Sequence, residues 1–180
     1  MNARWDSVDH NLLKAHRVLR PGFGTEAAVY GTILVSGLVA VSSAHEENSV
    51  TVLLTVVVTV LVFWGAHVYA GTVARIGERS VVAGTEIVGF REALGLSTQH
   101  SLGMLTSATV PALVLLAGTT RLIPDDLAND LALWSGVVIL AVLGYVAFLR
   151  RGSGLVARVA GALGTASFGA VFVIFKAIIH

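Results

Sequence analysis

His67 is the only imidazole in a 23-residue stretch, Ser49 to Gly71, that contains no Asp, Glu, Lys or Arg. A titratable side chain inside so apolar a segment is a candidate metal ligand or proton relay. Carboxylates and imidazoles together suit divalent ions such as Fe²⁺, Mn²⁺ or Zn²⁺. None of the candidate pairs in this chain has a recognised metal-ligand spacing. We predict a cation site from the following side chains near the edges of apolar stretches: Glu26, His67, Glu78, Glu86, Glu92 and His100.

Three hydroxyl-bearing side chains are predicted to line a gate or pathway beside that site: Tyr30, Thr59 and Tyr69. Tyr30 lies one helical turn after Glu26, and Tyr69 lies two residues after His67. Thr59 belongs to a series of threonines spaced in fours, which forms one stripe on a helix. Such threonines also bond their own preceding turn or a neighbouring helix, so packing is the favoured alternative to a pore lining.

Each candidate ligand also has a simpler interpretation. His67, beside Trp and Tyr near the end of an apolar stretch, is typical of an interfacial residue that shares a hydrogen bond. Glu26 suits the first turn of a helix, where a carboxylate complements the helix dipole. The glutamates of the 75–99 segment alternate with arginines and are typical of a solvated face.

The elements that must position these residues are membrane-spanning helices. The chain is 55% hydrophobic and only 13% charged, against about 25% charged in a soluble domain. Twenty-three residues in a helix reach about 34 Å, which is enough to cross a hydrocarbon core of about 30 Å. We predict an all-α polytopic membrane protein with five transmembrane helices, over residues 26–44, 49–71, 100–118, 131–149 and 155–179.

Two polar segments flank or interrupt this membrane domain, which covers residues 26–179. Residues 1–20 carry apolar residues at helical spacing and are predicted to form an amphipathic helix on an anionic leaflet. The 75–99 segment is predicted to be an insertion with a short amphipathic helix between spans two and three. It contributes Glu78, Glu86 and Glu92.

The distribution of Lys and Arg predicts the orientation. Four of them precede span one, three lie in the 75–99 segment and three follow span four, whereas the other two connections carry none and one. By the positive-inside rule the N-terminus and the insertion face the cytoplasm and the C-terminus faces out. No cleavable signal peptide is expected, because no apolar run precedes Pro21. A cytoplasmic (inner) membrane of bacterial type is the predicted location.

Composition argues against several functional classes. The chain has no Cys, which excludes disulfides and thiolate chemistry, and its net charge of +1 implies no nucleic-acid partner. No nucleophile, base and orienting acid fall at one depth, so an enzyme is not predicted. The expected partners are the lipid bilayer and a second copy of the chain, joined through small-residue faces on span one or span five. No cofactor is expected beyond a divalent ion as substrate.

Several stretches resemble the vacuolar iron transporter family of divalent metal exporters. HRVLRPGFGTEAAVYGTILVSG (16–37) is similar to the family's approach to span one, and GAHVYAGTVARIGERS (65–80) to its exit from span two. VPALVLLAG (110–118) is similar to its proline-containing third span, and LAVLGYVAFLRRGSG (140–154) to the approach to its last span. The resemblance implies a five-span fold, a dimer and divalent metal export coupled to protons, with His67, Glu26 and Tyr30 as the cytoplasmic gate.

The chain departs from that family at the expected site. Val29, Tyr30 and Gly31 stand where the family has Asn-Asp-Gly, and Trp64 and His67 stand where it has Met and Glu. The resemblance therefore implies the fold more directly than the transport. Two alternatives to a divalent cation transporter stay open: a non-transporting scaffold or accessory subunit that keeps the fold, and a monovalent cation or proton channel.

Overall fold

The computed structural model describes residues 26–45, 47–76 and 89–179, and these form an all-helical bundle. Each helix has 19 to 30 residues and is long and apolar enough to cross a membrane. This confirms the prediction of five such helices. They are α1 (Glu26–Ala44), α2 (Ser49–Arg75), α3 (Phe90–Thr119), α4 (Asp125–Arg150) and α5 (Leu155–Ile179).

Two helices begin earlier than the apolar runs predict. α3 begins at Phe90 instead of residue 100, and α4 begins at Asp125 instead of residue 131. Backbone bonds close the first turns, from Ala93 N to the oxygen of Gly89 and from Ala128 N to the oxygen of Pro124, both 2.9 Å. Polar residues continue a helix wherever such bonds form, so a search for apolar runs places the helix starts too late.

The predicted insertion over residues 75–99 is therefore shorter at its C-terminal end, because α3 includes residues 90–99. Residues 90–99 continue into the third span as one helix, and no separate amphipathic helix is found between residues 89 and 99. The predicted N-terminal helix over residues 1–20 lies outside the described residues, as do Glu78 and Glu86.

Helix α1 occupies the centre of the bundle and contacts each of the other four helices. Its inward residues are small, with Ala27, Ala28 and Thr32 at 0% exposure, so its neighbours approach its backbone closely. A Cβ on Gly31 would lie 2.9 Å from the Cα of Met104 in α3. The small-residue face predicted as a dimer surface on span one is thus buried inside the chain.

Helix α5 is the peripheral helix, and Gly161 and Gly169 are its buried residues. Both glycines face α4: a Cβ on Gly161 would overlap Phe148, and one on Gly169 would lie 3.0 Å from the Cα of Val137. Thr165, between them, donates a 2.7 Å hydrogen bond from Oγ1 to the oxygen of Leu140. The small-residue face of span five, predicted to join a second copy, therefore packs against α4 of the same chain.

Candidate functional site

Among the residues that the structure describes, the two ends of the bundle carry opposite charge. One end, the basic end, has an excess of arginines: Arg75, Arg91, Arg150, Arg151 and Arg158, with Glu26 and Glu92. The other end, the acidic end, has an excess of carboxylates: Glu47, Asp125, Asp126 and Asp130, with Arg121 and Lys176. Most of the predicted cation ligands lie toward the basic end, because they cluster at the start of α1, the end of α2 and the start of α3.

Most of these predicted residues are exposed in the single chain. Glu26, Glu92 and His100 are exposed, and so are the two predicted gate tyrosines, with Tyr30 at 55% and Tyr69 at 73%. A gate side chain must line a path between helices. Tyr69 in particular points away from the bundle.

His67 and Thr59 differ from that group because both are partly buried. His67 lies seven residues after buried Val60 and directly before buried Val68, so it falls on the inward side of α2. That side of α2 packs chiefly on α3, as the contact between position 71 and Ser97 demonstrates. His67 therefore lies on the face of α2 that packs against α3.

The packing registers place three predicted ligands at one level. α2 and α3 are antiparallel with Gly71 opposite Ser97, so His67 lies level with residue 101. α1 and α3 are parallel with Gly31 opposite Met104 and Ser107, so Glu26 lies level with residues 99–102. Glu26, His67 and His100 thus lie at the same depth. Glu26 and His100 are exposed on the outside of the bundle, whereas His67 is partly buried.

No metal-binding group of three or more His, Asp or Glu side chains is present in residues 26–45, 47–76 and 89–179. Two of the six predicted ligands, Glu78 and Glu86, lie outside those ranges. The metal site therefore stays a prediction that rests on residue type and shared level.

Arg75 is a residue of the basic end that the sequence did not single out. Its Nη1 donates to the oxygen of Gly71 at 3.0 Å and to Oγ of Ser97 at 3.1 Å. The bond to Ser97 crosses from α2 to α3, so the guanidinium lies over the interface between these two helices. A positive charge at this place repels cations that approach the interface.

Buried hydroxyls continue from that point into the bundle. This set, the hydroxyl seam, consists of side chains at most 3% exposed: Thr32, Ser36, Thr72, Ser97, Ser101 and Ser107. Several donate to a carbonyl of their own helix, as Ser101 does to Ser97 at 2.7 Å and Thr32 to Ala28 at 2.8 Å. Such a hydroxyl keeps its oxygen lone pairs free to accept or to coordinate. Within the described part of the chain, Ser36 Oγ has no hydrogen-bond partner at all.

At the acidic end two hydrogen bonds join distant parts of the chain. The backbone N of Ser49 donates to Oδ1 of Asp125 at 3.2 Å, and Nδ2 of Asn129 donates to the oxygen of Glu47 at 3.1 Å. These bonds dock the turn before α2 on the first two turns of α4. Sequence reasoning missed this contact. The available signal was an Asp and an Asn four residues apart, which share a helix face.

Two grooves on the bundle are lined almost wholly by apolar side chains. One, of about 330 Å³, lies between α2 and α3 beside Val57 and Leu113. The other, of about 550 Å³, lies between α1 and α5 beside Gly37 and Phe172. Neither groove contains a candidate cation ligand, so both suit apolar chains rather than ions.

Comparison with known protein families, with characterised proteins and with solved structures finds no match to this chain. The resemblance to vacuolar iron transporters therefore rests on the residues quoted above.

Proposed function

We propose that the protein is a cation transporter embedded in a membrane, with the basic end on the cytoplasmic side. Apolar side chains cover the outside of the bundle, including Leu54, Val62, Leu113 and Val138, each more than half exposed. Such a surface is stable against lipid and costly against water. The excess of arginine at one end supports the orientation through the positive-inside rule.

The observation that carries the proposal is the level shared by Glu26, His67 and His100, with His67 partly buried on the α3 side of α2. Imidazole and carboxylate together favour a divalent ion of the Fe²⁺ or Mn²⁺ type as substrate. An imidazole can bind either a metal ion or a proton, so His67 also suits a protein that exchanges a metal ion for protons.

The hydroxyl seam supplies oxygen atoms beyond that level. Ser107 of α3 lies beside Gly31 of α1 one to two turns further into the bundle, whereas Ser36 of α1, with its unpaired Oγ, faces Gly136 of α4. An ion that leaves His67 would find a hydroxyl oxygen of α3 at its interface with α1 and a hydroxyl oxygen of α1 at its interface with α4. Arg75 at the mouth of the seam would then limit the rate at which cations arrive.

The test is metal flux into liposomes that contain the purified full-length protein. His67→Ala is expected to lower Fe²⁺ or Mn²⁺ uptake about tenfold or more, which corresponds to a loss of about 1.4 kcal/mol of ion stabilisation. His45→Ala is the matched control, because His45 is exposed in the turn before α2, where its ring bonds the oxygen of Val41. Equal uptake by wild type and His67→Ala would remove His67 from the mechanism.

A second candidate is a non-transporting scaffold or accessory subunit of a membrane complex. The observation in its favour is the filling of the bundle by α1, together with the lack of a three-ligand metal group in the described residues. This candidate predicts no metal uptake by the wild type or by either variant. It also predicts a stoichiometric partner that co-purifies from native membranes. A homo-oligomer that purifies alone with bound metal would count against it.

A further inference from the structure

We propose that the acidic end contains a binding site for a hard divalent cation of the Ca²⁺ class, formed by Glu47, Asp125 and Asn129. The site is independent of transport, because it lies at the opposite end from His67. It joins the turn before α2 to the start of α4.

The three side chains are held together by the fold. Asn129 binds the backbone of Glu47 through Nδ2, and Asp125 binds the backbone of Ser49 through Oδ1. Asp125 and Asn129 are one helical turn apart, so they project from the same face of α4. Asp125 and Asn129 of α4 therefore both bind the turn of chain that carries Glu47.

Two buried oxygen atoms at this place have no donor. Asn129 is 2% exposed, and its Oδ1 has no hydrogen-bond partner in the described structure. The same is true of Oε2 of Glu47. Because Nδ2 of Asn129 is fixed by its bond to the oxygen of Glu47, its Oδ1 stays close to this turn. A buried acceptor without a donor destabilises the fold, so two together call for a ligand.

Helix dipoles explain part of this arrangement but not the unpaired oxygens. Asp125 and Glu47 lie at the N-termini of α4 and α2, where a carboxylate is favoured. Two backbone donors of the turn are already used, since Ser49 N binds Asp125 and Thr51 N binds Oδ1 of Asn48, and Oγ of Ser49 is itself buried without a partner in the described structure. Asn129 Oδ1 and Glu47 Oε2 still lack a positive partner.

The chemistry of the ligands selects the ion. Carboxylate and amide oxygens without nitrogen or sulfur suit Ca²⁺ or Mg²⁺ rather than zinc or copper. Ca²⁺ fits better, because it accepts irregular sets of carboxylate and carbonyl oxygens and completes its shell with water. Bound there, it would tie α2 to α4 and stabilise the acidic end.

The test is Ca²⁺ titration of the full-length protein in detergent after removal of divalent ions, by calorimetry and by thermal unfolding. We expect one Ca²⁺ per chain and a rise in Tm on the order of 5 °C at a hundredfold excess over Kd. Glu47→Gln removes one carboxylate and should weaken binding at least tenfold. Asp126→Asn, an exposed neighbour, should bind within about twofold of wild type.

Four outcomes would overturn the proposal. They are no binding of Ca²⁺ to wild type, equal affinity in Glu47→Gln, the same loss of affinity in Asp126→Asn, or an equal rise in Tm with Na⁺ alone. If Glu47→Gln does not fold, Asp125→Asn is measured in its place in the same way. An unchanged affinity of that variant for Ca²⁺ would also overturn the proposal.

Discussion

The basic and acidic ends of this bundle differ in how their polar residues are held. At the basic end the predicted ligands Glu26, Glu92 and His100 are exposed, and they share only a depth with His67. At the acidic end Glu47, Asp125 and Asn129 are tied across two helices by defined hydrogen bonds. A residue type thus indicates a possible role, while the connection between helices decides whether polar groups form a site.

The largest expected effect comes from two glycines of α3, one at each end. A Cβ on Gly118 would lie 2.6 Å from Cβ of Ala128 and would also overlap Ser49, whereas one on Gly95 meets nothing within 4 Å. Gly118→Ala should lower the free energy of unfolding by about 1–3 kcal/mol, and Gly95→Ala should raise it by about 0.5–1 kcal/mol. Thermal unfolding in detergent measures both. Equal Tm values would contradict the tight packing at the acidic end.

The next effect compares the interhelix bonds of the two ends. Asn129→Leu leaves the oxygen of Glu47 without its donor and should cost about 1–2 kcal/mol. Ser97→Ala removes the partner of Arg75, but that side chain is only partly buried and can turn to water, so the cost should be below about 1 kcal/mol. Denaturation in the same detergent ranks the two. A larger loss in Ser97→Ala would reverse the comparison.

A smaller effect is expected from the guanidinium at the basic end. Arg75→Gln removes the positive charge beside Ser97 and should raise cation uptake into liposomes roughly fivefold, the rate equivalent of about 1 kcal/mol of repulsion. Arg121→Gln, on the short connection at the opposite end, should leave uptake unchanged. Uptake that falls in Arg75→Gln would assign the arginine a role other than repulsion.

The smallest effect concerns the predicted gate. Tyr69 is 73% exposed, so Tyr69→Phe should change the free energy of unfolding by less than about 0.5 kcal/mol. It should also leave metal uptake unchanged. His67→Ala, two residues away, is the informative contrast because His67 is partly buried. Impaired uptake in Tyr69→Phe would support the prediction that this tyrosine belongs to the pathway, for instance at a surface that a second copy covers.

Part of the fold could be predicted because apolar length and helix geometry leave one solution. A helix satisfies its own backbone in lipid, so each long apolar run had to be a helix, and the bounds of α1 and α5 agree with the prediction. The starts of α3 and α4 could not be predicted from hydropathy. Their first turns are polar, and capping and packing decide where they begin.

The inward face of each helix was harder to predict. A helix such as α2 is apolar on nearly all sides, so it has no stripe that distinguishes lipid from protein. The sequence therefore could not show that His67 turns toward α3 while Tyr69 turns away. Nor could it show that the small residues of α1 and α5 contact helices of the same chain rather than a second copy.

By itself the sequence determined five helices of membrane length and the separation of positive and negative charge between their ends, because both follow from residue type and spacing along one dimension. Only the tertiary structure decided which helices meet and at what register. That register brings Asn129 to Glu47 and Arg75 to Ser97 across 82 and 22 residues of chain. Such contacts depend on how small side chains let backbones approach, which no single helix can specify alone.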